Sequence, residues 1–149
     1  KAEKLKELFD LNFFSVYQIN RSLIKNKTDK RKLNIIMIGA LAGIKTVGYL
    51  GYSAAKSVLF NYNENLSKYF KHKNVITKLI VPSFFYSTNG SLARMKKNNP
   101  PVYLKIKKKK PIPSRHIIMN IKYLLKNESD SLNGSSINLT NLTHKQTKF

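Results

Sequence analysis

The sequence predicts an α/β fold: a mixed β-sheet with an N-terminal antiparallel hairpin and helices packed on it. Three observations lead there. Two runs rich in aromatic and β-branched residues, 12–19 and 33–39, flank a polar, basic connection. The stretch 53–70 repeats its apolar residues at helical spacing. Strand-like and helix-like segments then alternate as far as residue 106, the pattern of helices laid on a sheet. A chain of 149 residues has room for one modest core plus extensions.

Each element has its own signal. KAEKLKELF (1–9) reads as a short charged helix with Leu5, Leu8 and Phe9 on one side. NFFSVYQI (12–19) reads as a strand, and LNIIMIG (33–39) as its antiparallel partner, ended by Gly39. ALAGIKTVGYLGYS (40–53), with Gly43, Gly48 and Gly51, reads as an ordered loop whose glycines allow close backbone approach. Ser53 suits an N-cap. After it Ala55, Val58, Leu59, Tyr62, Leu66, Tyr69 and Phe70 fall on one face of a helix. VITKLIV (75–81) is a buried strand, and STNGSLARMKK (87–97) opens a second helix that NNPP ends. VYLKI (102–106) reads as a last strand, IIMNIKYLLK (117–126) as a helix, and the Asn-, Ser- and Thr-rich remainder as mobile chain.

Charge dominates the composition. There are 28 Lys and Arg against 7 Asp and Glu, a formal net charge of +21. Between Lys30 and Asn127 the only carboxylate is Glu64. Such an excess costs stability through self-repulsion and points to a polyanionic partner. The same scarcity of acids argues against a metal-dependent nuclease, which needs clustered carboxylates. With no Cys in the chain, and His72, His116 and His144 scattered, a zinc site is not expected. No GxxxxGK or GxSxG motif is present. Catalysis is therefore not expected, nor any cofactor or metal.

The order of several short motifs resembles the universal small-subunit ribosomal protein eleven family. They are the hairpin followed by Gly43-Ile44-Lys45, an aromatic before Ala-Ala (Tyr52, Ala54, Ala55), and LIV (79–81) leading through a loop to SLARM (91–95). A final strand then runs into Pro111-Ile112-Pro113. The sequence departs from that family at SFFYSTNG (83–90), at Ser114, Arg115 and His116 after the prolines, and in the extension 117–149. The resemblance implies a ribonuclease H-like arrangement with a basic C-terminal extension. It divides the chain into an N-terminal helical extension (1–11), a ribosomal-protein domain (12–116) and a C-terminal extension (117–149). It also implies a structural constituent of the small ribosomal subunit, on the platform near the messenger exit, in a mitochondrial ribosome. The partners would be small-subunit rRNA and neighbouring platform proteins, with messenger RNA nearby and no small-molecule substrate or membrane.

On that reading Arg31, Lys32, Gly43, Lys45, Thr46, Arg94, Lys96, Lys97, Lys105, Lys107, Lys108, Lys109, Lys110, Arg115 and His116 contact RNA. Phosphate contacts spread over several elements suit a folded RNA. Pro111, Ile112 and Pro113 form a stiff structural turn. The alternative is a basic membrane-associated protein with residues 34–60 inserted and its lysines on anionic headgroups. A free single-strand RNA-binding factor would want aromatics facing solvent on a sheet, whereas these aromatics follow core periodicity.

Overall fold

A computed structural model describes residues 2–28, 30–45, 49–83, 91–108, 112–126 and 130–139. Its centre is a three-stranded sheet of β1 (Leu33–Ile38), β2 (Val75–Pro82) and β3 (Ser136–Leu139), in the order β1-β2-β3. Both pairings are parallel, with Leu33 opposite Val75 and Leu79 opposite Ser136. The α/β class is as expected, but the antiparallel hairpin is not there.

The first half of the expected hairpin is helix. Residues 2–25 run through α1 (Ala2–Phe9), a π-helical turn (Asp10–Phe14) and α2 (Ser15–Lys25). Phe13 and Val16 pack on the core, and Asn20 and Ile24 are buried. Those positions follow a helical period. The aromatic and β-branched composition of 12–19 suggested a strand, but composition is a weaker signal than periodicity. In the widened turn the Asn12 side-chain amide donates to the Leu8 carbonyl at 2.9 Å.

β2 is buried along its whole length, as befits a central parallel strand covered on both faces. One face, with Val75, Leu79 and Val81, meets Ile24, Ile35, Met37, Leu59 and Leu66 under α2 and α3 (Leu50–Tyr69). On the other face Ile80 meets Leu124, Leu132 and Ile137 under α6 (Ser114–Lys126). Lys78 lies on this second side, 1% exposed, its ammonium donating to the Leu124 carbonyl at 3.0 Å near the end of α6. The molecule is thus helix, sheet, helix in three layers.

Two further segments differ from expectation. VYLKI is not a strand but part of α5 (Pro100–Lys108), which follows α4 (Ser91–Asn98) across Asn99. Asn98 does end a helix. The prolines then begin the next one, because a first turn has no need of their missing N–H groups. In the Asn- and Ser-rich tail, Leu132 and Ile137 are buried and β3 joins the sheet. No continuous helix spans 34–60, and no helix among the described residues is long and apolar enough to cross a membrane.

Candidate active site

In an open parallel sheet, ligands meet the carboxyl ends of the strands. β1 ends at Ile38, and Gly39 holds the strand to its neighbour by donating to the Ile80 carbonyl at 2.8 Å. Leu41–Gly43 then form a single 3₁₀ turn, and after residue 49 the chain enters α3. This turn lies directly against α3. A methyl at Gly43 would stand 2.8 Å from Phe60 Cε2 and 2.9 Å from the Lys56 backbone carbonyl. Gly43 does permit close approach, but to a helix of its own chain.

α3 starts three residues earlier than its apolar pattern suggested, so Ser53 lies inside it; its N–H donates to the Tyr49 carbonyl at 2.8 Å. Tyr52 therefore occupies the first turn. There the unpaired N–H groups of the helix favour negative charge. Lys56 follows four residues later, on the same face. Its ammonium donates to the Ile38 carbonyl at 3.2 Å and stands 5.9 Å from the centre of the Tyr52 ring. From the outer side α1 holds the same turn: Leu5 and Leu8 lie where a side chain at Gly51 would go, each 3.0 Å from that position.

Both groups are half-buried, and burial pushes both toward neutrality. The Tyr52 hydroxyl is raised above its ordinary value and the Lys56 ammonium lowered, each through desolvation. At neutral pH Tyr52 is thus a protonated phenol beside a weakened ammonium. This arrangement can donate a proton to an oxygen that gains charge and can then stabilise the phenolate left behind. Tyr62, one helical face round among Phe13 and Tyr17, is also raised, chiefly by burial. It belongs to the packing of α2 on α3.

A family model described as short chain dehydrogenase matches residues 1–98. The chain belongs to the short chain dehydrogenase family. Among curated relatives it is 25% identical over 85 residues to the 3-oxoacyl-[acyl-carrier-protein] reductase FabG of Escherichia coli (strain K12), covering 56% of this chain and 35% of that protein. It is 22% identical over 126 residues to the very-long-chain 3-oxoacyl-CoA reductase of Mycosarcoma maydis, covering 84% and 33%. The chain thus spans about a third of the length of these relatives. Among solved structures it resembles 4-hydroxyisoleucine dehydrogenase complexed with NADH, with TM-score 0.75, 18% identity, and 93% of this chain and 59% of that chain covered. A short chain dehydrogenase/reductase family oxidoreductase from Burkholderia thailandensis gives TM-score 0.78, 20% identity, and 93% and 55% coverage. These likenesses carry the fold, a parallel sheet between helices.

The family overturns the ribosomal reading. The expectations of a small-subunit constituent, of rRNA and platform-protein partners, and of a chain with neither enzymatic role nor small-molecule substrate fall with it. The membrane alternative gains no support either. Among the described residues assigned to RNA, two groups lie at opposite ends of the sheet. Arg31 and Lys32 are exposed just before β1, at the amino end of the sheet, whereas Gly43 and Lys45 follow its carboxyl end. Six residues of strand separate these ends by roughly 20 Å. Arg94, Lys96 and Lys97 are exposed on α4, Lys105, Lys107 and Lys108 on α5, and Arg115 on α6, with His116 half-buried beside it. Thr46, Lys109, Lys110 and Pro111 lie outside the described residues. Ile112 is buried at 5% exposure, and Pro113 leads into α6, its carbonyl accepting from the His116 N–H at 2.9 Å.

Sequence reasoning passed over Tyr52 and Lys56 as a pair. The sequence places Tyr52 in an aromatic-Ala-Ala motif and by itself gives Lys56 no role. The available signal was a phenol and an ammonium four residues apart at the start of an amphipathic helix.

Membership of the family implies a nicotinamide dinucleotide, but the described residues do not form its cradle. Such a cradle needs a glycine turn whose open backbone approaches phosphate. Here the space beside Gly43 is filled by Lys56 and Phe60. Nor does G-x-G-x-x-G occur anywhere in the sequence.

Proposed function

We propose that this chain carries the proton-transfer centre of an oxidoreductase that interconverts a carbonyl and an alcohol. The observation that carries the reading is Tyr52 and Lys56 on one turn of α3, at the carboxyl end of a parallel sheet, in a short chain dehydrogenase. In carbonyl reduction a reduced nicotinamide dinucleotide would supply hydride to the carbonyl carbon, and Tyr52 gives its proton to the carbonyl oxygen as charge develops there. Lys56 and the first turn of α3 stabilise the resulting phenolate. In alcohol oxidation the same proton travels back. The Ile38 carbonyl holds the ammonium in place for either direction. Relatives named as 3-oxoacyl reductases support a 3-oxoacyl thioester as the substrate class.

The test is consumption of a reduced nicotinamide dinucleotide with 3-oxoacyl thioesters, for the unaltered protein and for Tyr52→Phe. Removing a positioned general acid should slow turnover by roughly 10²- to 10⁴-fold while the circular dichroism stays unchanged. Equal turnover by Tyr52→Phe would refute the assignment.

A further inference from the structure

β3 has only four residues, and its lead-in fastens it to β2 as much as its ladder does. Thr77 lies two residues before Leu79, where the pairing with Ser136 begins. It turns both its backbone groups toward the lead-in. The Thr77 N–H donates to Asn133 Oδ1 at 2.9 Å, and the Thr77 carbonyl accepts from the Gly134 N–H at 2.8 Å. We infer that Asn133, followed by Gly134, is a site of spontaneous deamidation that is closed while β3 is docked, and that isoaspartate formed there keeps β3 undocked.

The fold itself demands this pair of residues. A backbone N–H left without a partner is costly, so position 133 needs a short side chain that accepts a hydrogen bond. Position 134 has φ 75°, in the left-handed region, and a methyl there would collide with Ser67 Oγ. Asparagine and glycine meet these demands. They are also the pair in which an amide side chain is most open to attack by its own backbone, because no Cβ on the second residue obstructs ring closure. The Gly134 nitrogen loses its proton to water and attacks Asn133 Cγ. A new N–C bond forms, the Cγ–Nδ2 bond breaks, and ammonia leaves. Water then opens the cyclic imide at one of its two carbonyls, giving aspartate or isoaspartate. Water is the only co-reactant.

In the docked state one residue, Thr77, holds both reacting groups, and ring closure has to break both bonds. Asn63, fully buried in α3, adds a second clamp by donating to the Gly134 and Ser135 carbonyls at 2.8 and 3.1 Å. Deamidation therefore runs through the open state, at a rate proportional to that state's population. β3 is suited to open before the rest of the sheet, since Ile137 is its one buried residue. The two products differ in what they allow. Aspartate keeps an oxygen for the Thr77 N–H. Isoaspartate inserts a methylene into the main chain just before Gly134. The Gly134 N–H and the Ser135 carbonyl, which accepts from the Leu79 N–H at 3.0 Å, then no longer fit β2 together. None of this depends on the proposed reaction.

The test incubates the intact chain at mildly alkaline pH, with and without unfolding guanidinium chloride, and follows residue 133 by mass-spectrometric peptide mapping. Conversion should be at least roughly 10-fold slower in the folded protein. Ile137→Val, which loosens the anchor of β3, should speed it by roughly 2- to 10-fold. Ile24→Val, in the core on the other face of the sheet, should leave it unchanged. The isoaspartate form, separated from aged protein, should lose hydrogen-exchange protection across 136–139, whereas Asn133→Asp should keep it. Equal rates in folded and unfolded chain would overturn the inference. So would no acceleration by Ile137→Val, the same acceleration by Ile24→Val, or an isoaspartate form with protection intact.

Discussion

At Tyr52 burial and function act in the same direction for one half of the reaction only. A raised phenol stays protonated at neutral pH, the form a carbonyl reduction consumes. Reduction should therefore be flat across neutral pH and fall only as pH climbs past the ordinary phenol value of about 10. Alcohol oxidation needs the phenolate, so its rate should still be rising in that range. Initial rates in both directions, measured over the same buffers, check this. A reduction rate already falling near neutrality would contradict the raised hydroxyl. Lys56 makes a separate prediction about stability. Its folded value is lowered, so the unfolded chain binds more protons between that value and 10.5. Stability should thus rise with pH through that window. Other lysines add a similar trend by losing mutual repulsion, so the informative quantity is the difference from Lys56→Met. Urea midpoints from neutral pH to about 10 should climb less steeply in the variant. Parallel curves would mean that Lys56 is not desolvated.

Among the elements, the contact between the 3₁₀ turn and α3 sets the geometry of the centre. Gly43 is pressed against the Lys56 backbone and the Phe60 ring, and backbone cannot yield as a side-chain tip can. Gly43→Ala should part the turn from the helix, lower stability by about 1–3 kcal/mol and reduce turnover. Thermal melting and kinetics on the same preparation test it; an unchanged melting temperature would show that the turn is free to move. Gly51, one residue before Tyr52, meets only the flexible ends of Leu5 and Leu8, so an alanine there should be tolerated better.

For the molecule as a whole, the net charge of +21 is a standing cost. The cations line the loops at the amino end of the sheet and cover α4 and α5. Few carboxylates are available to offset them: among the described residues, the ion pair of Glu64 with Lys68 is exposed and of the kind worth little. Screening should relieve the repulsion, so the melting temperature should rise between roughly 0.05 and 0.5 M sodium chloride, where the Debye length falls below about 10 Å. A melting temperature that fell with salt would mean that specific ion pairs outweigh the repulsion.

Local pattern alone was enough for several elements. β1, β2, the long helix and α4 each announce themselves by apolar period or by flanking Gly and Pro, because burial of one face is a local demand on spacing. The α/β class follows from their alternation. Other features depend on contacts distant in sequence. Residues 12–19 and 102–106 have strand-like composition, yet a helix forms where its face, with Phe13 and Val16 in the first case, can be buried against α3 and the sheet. β3 is short and lies in polar chain, and its strand character comes from pairing with β2. The direction of pairing is likewise tertiary, since β1 takes β2 as a parallel partner through α3. Net charge was legible from the first reading, but it carries no information about fold, and it drew attention to exposed lysines rather than to the half-buried one. Lys56 and Tyr52 were visible as letters four apart. What made them a candidate site was the parallel sheet, which brings the Ile38 carbonyl under the ammonium, and the burial that shifts both groups.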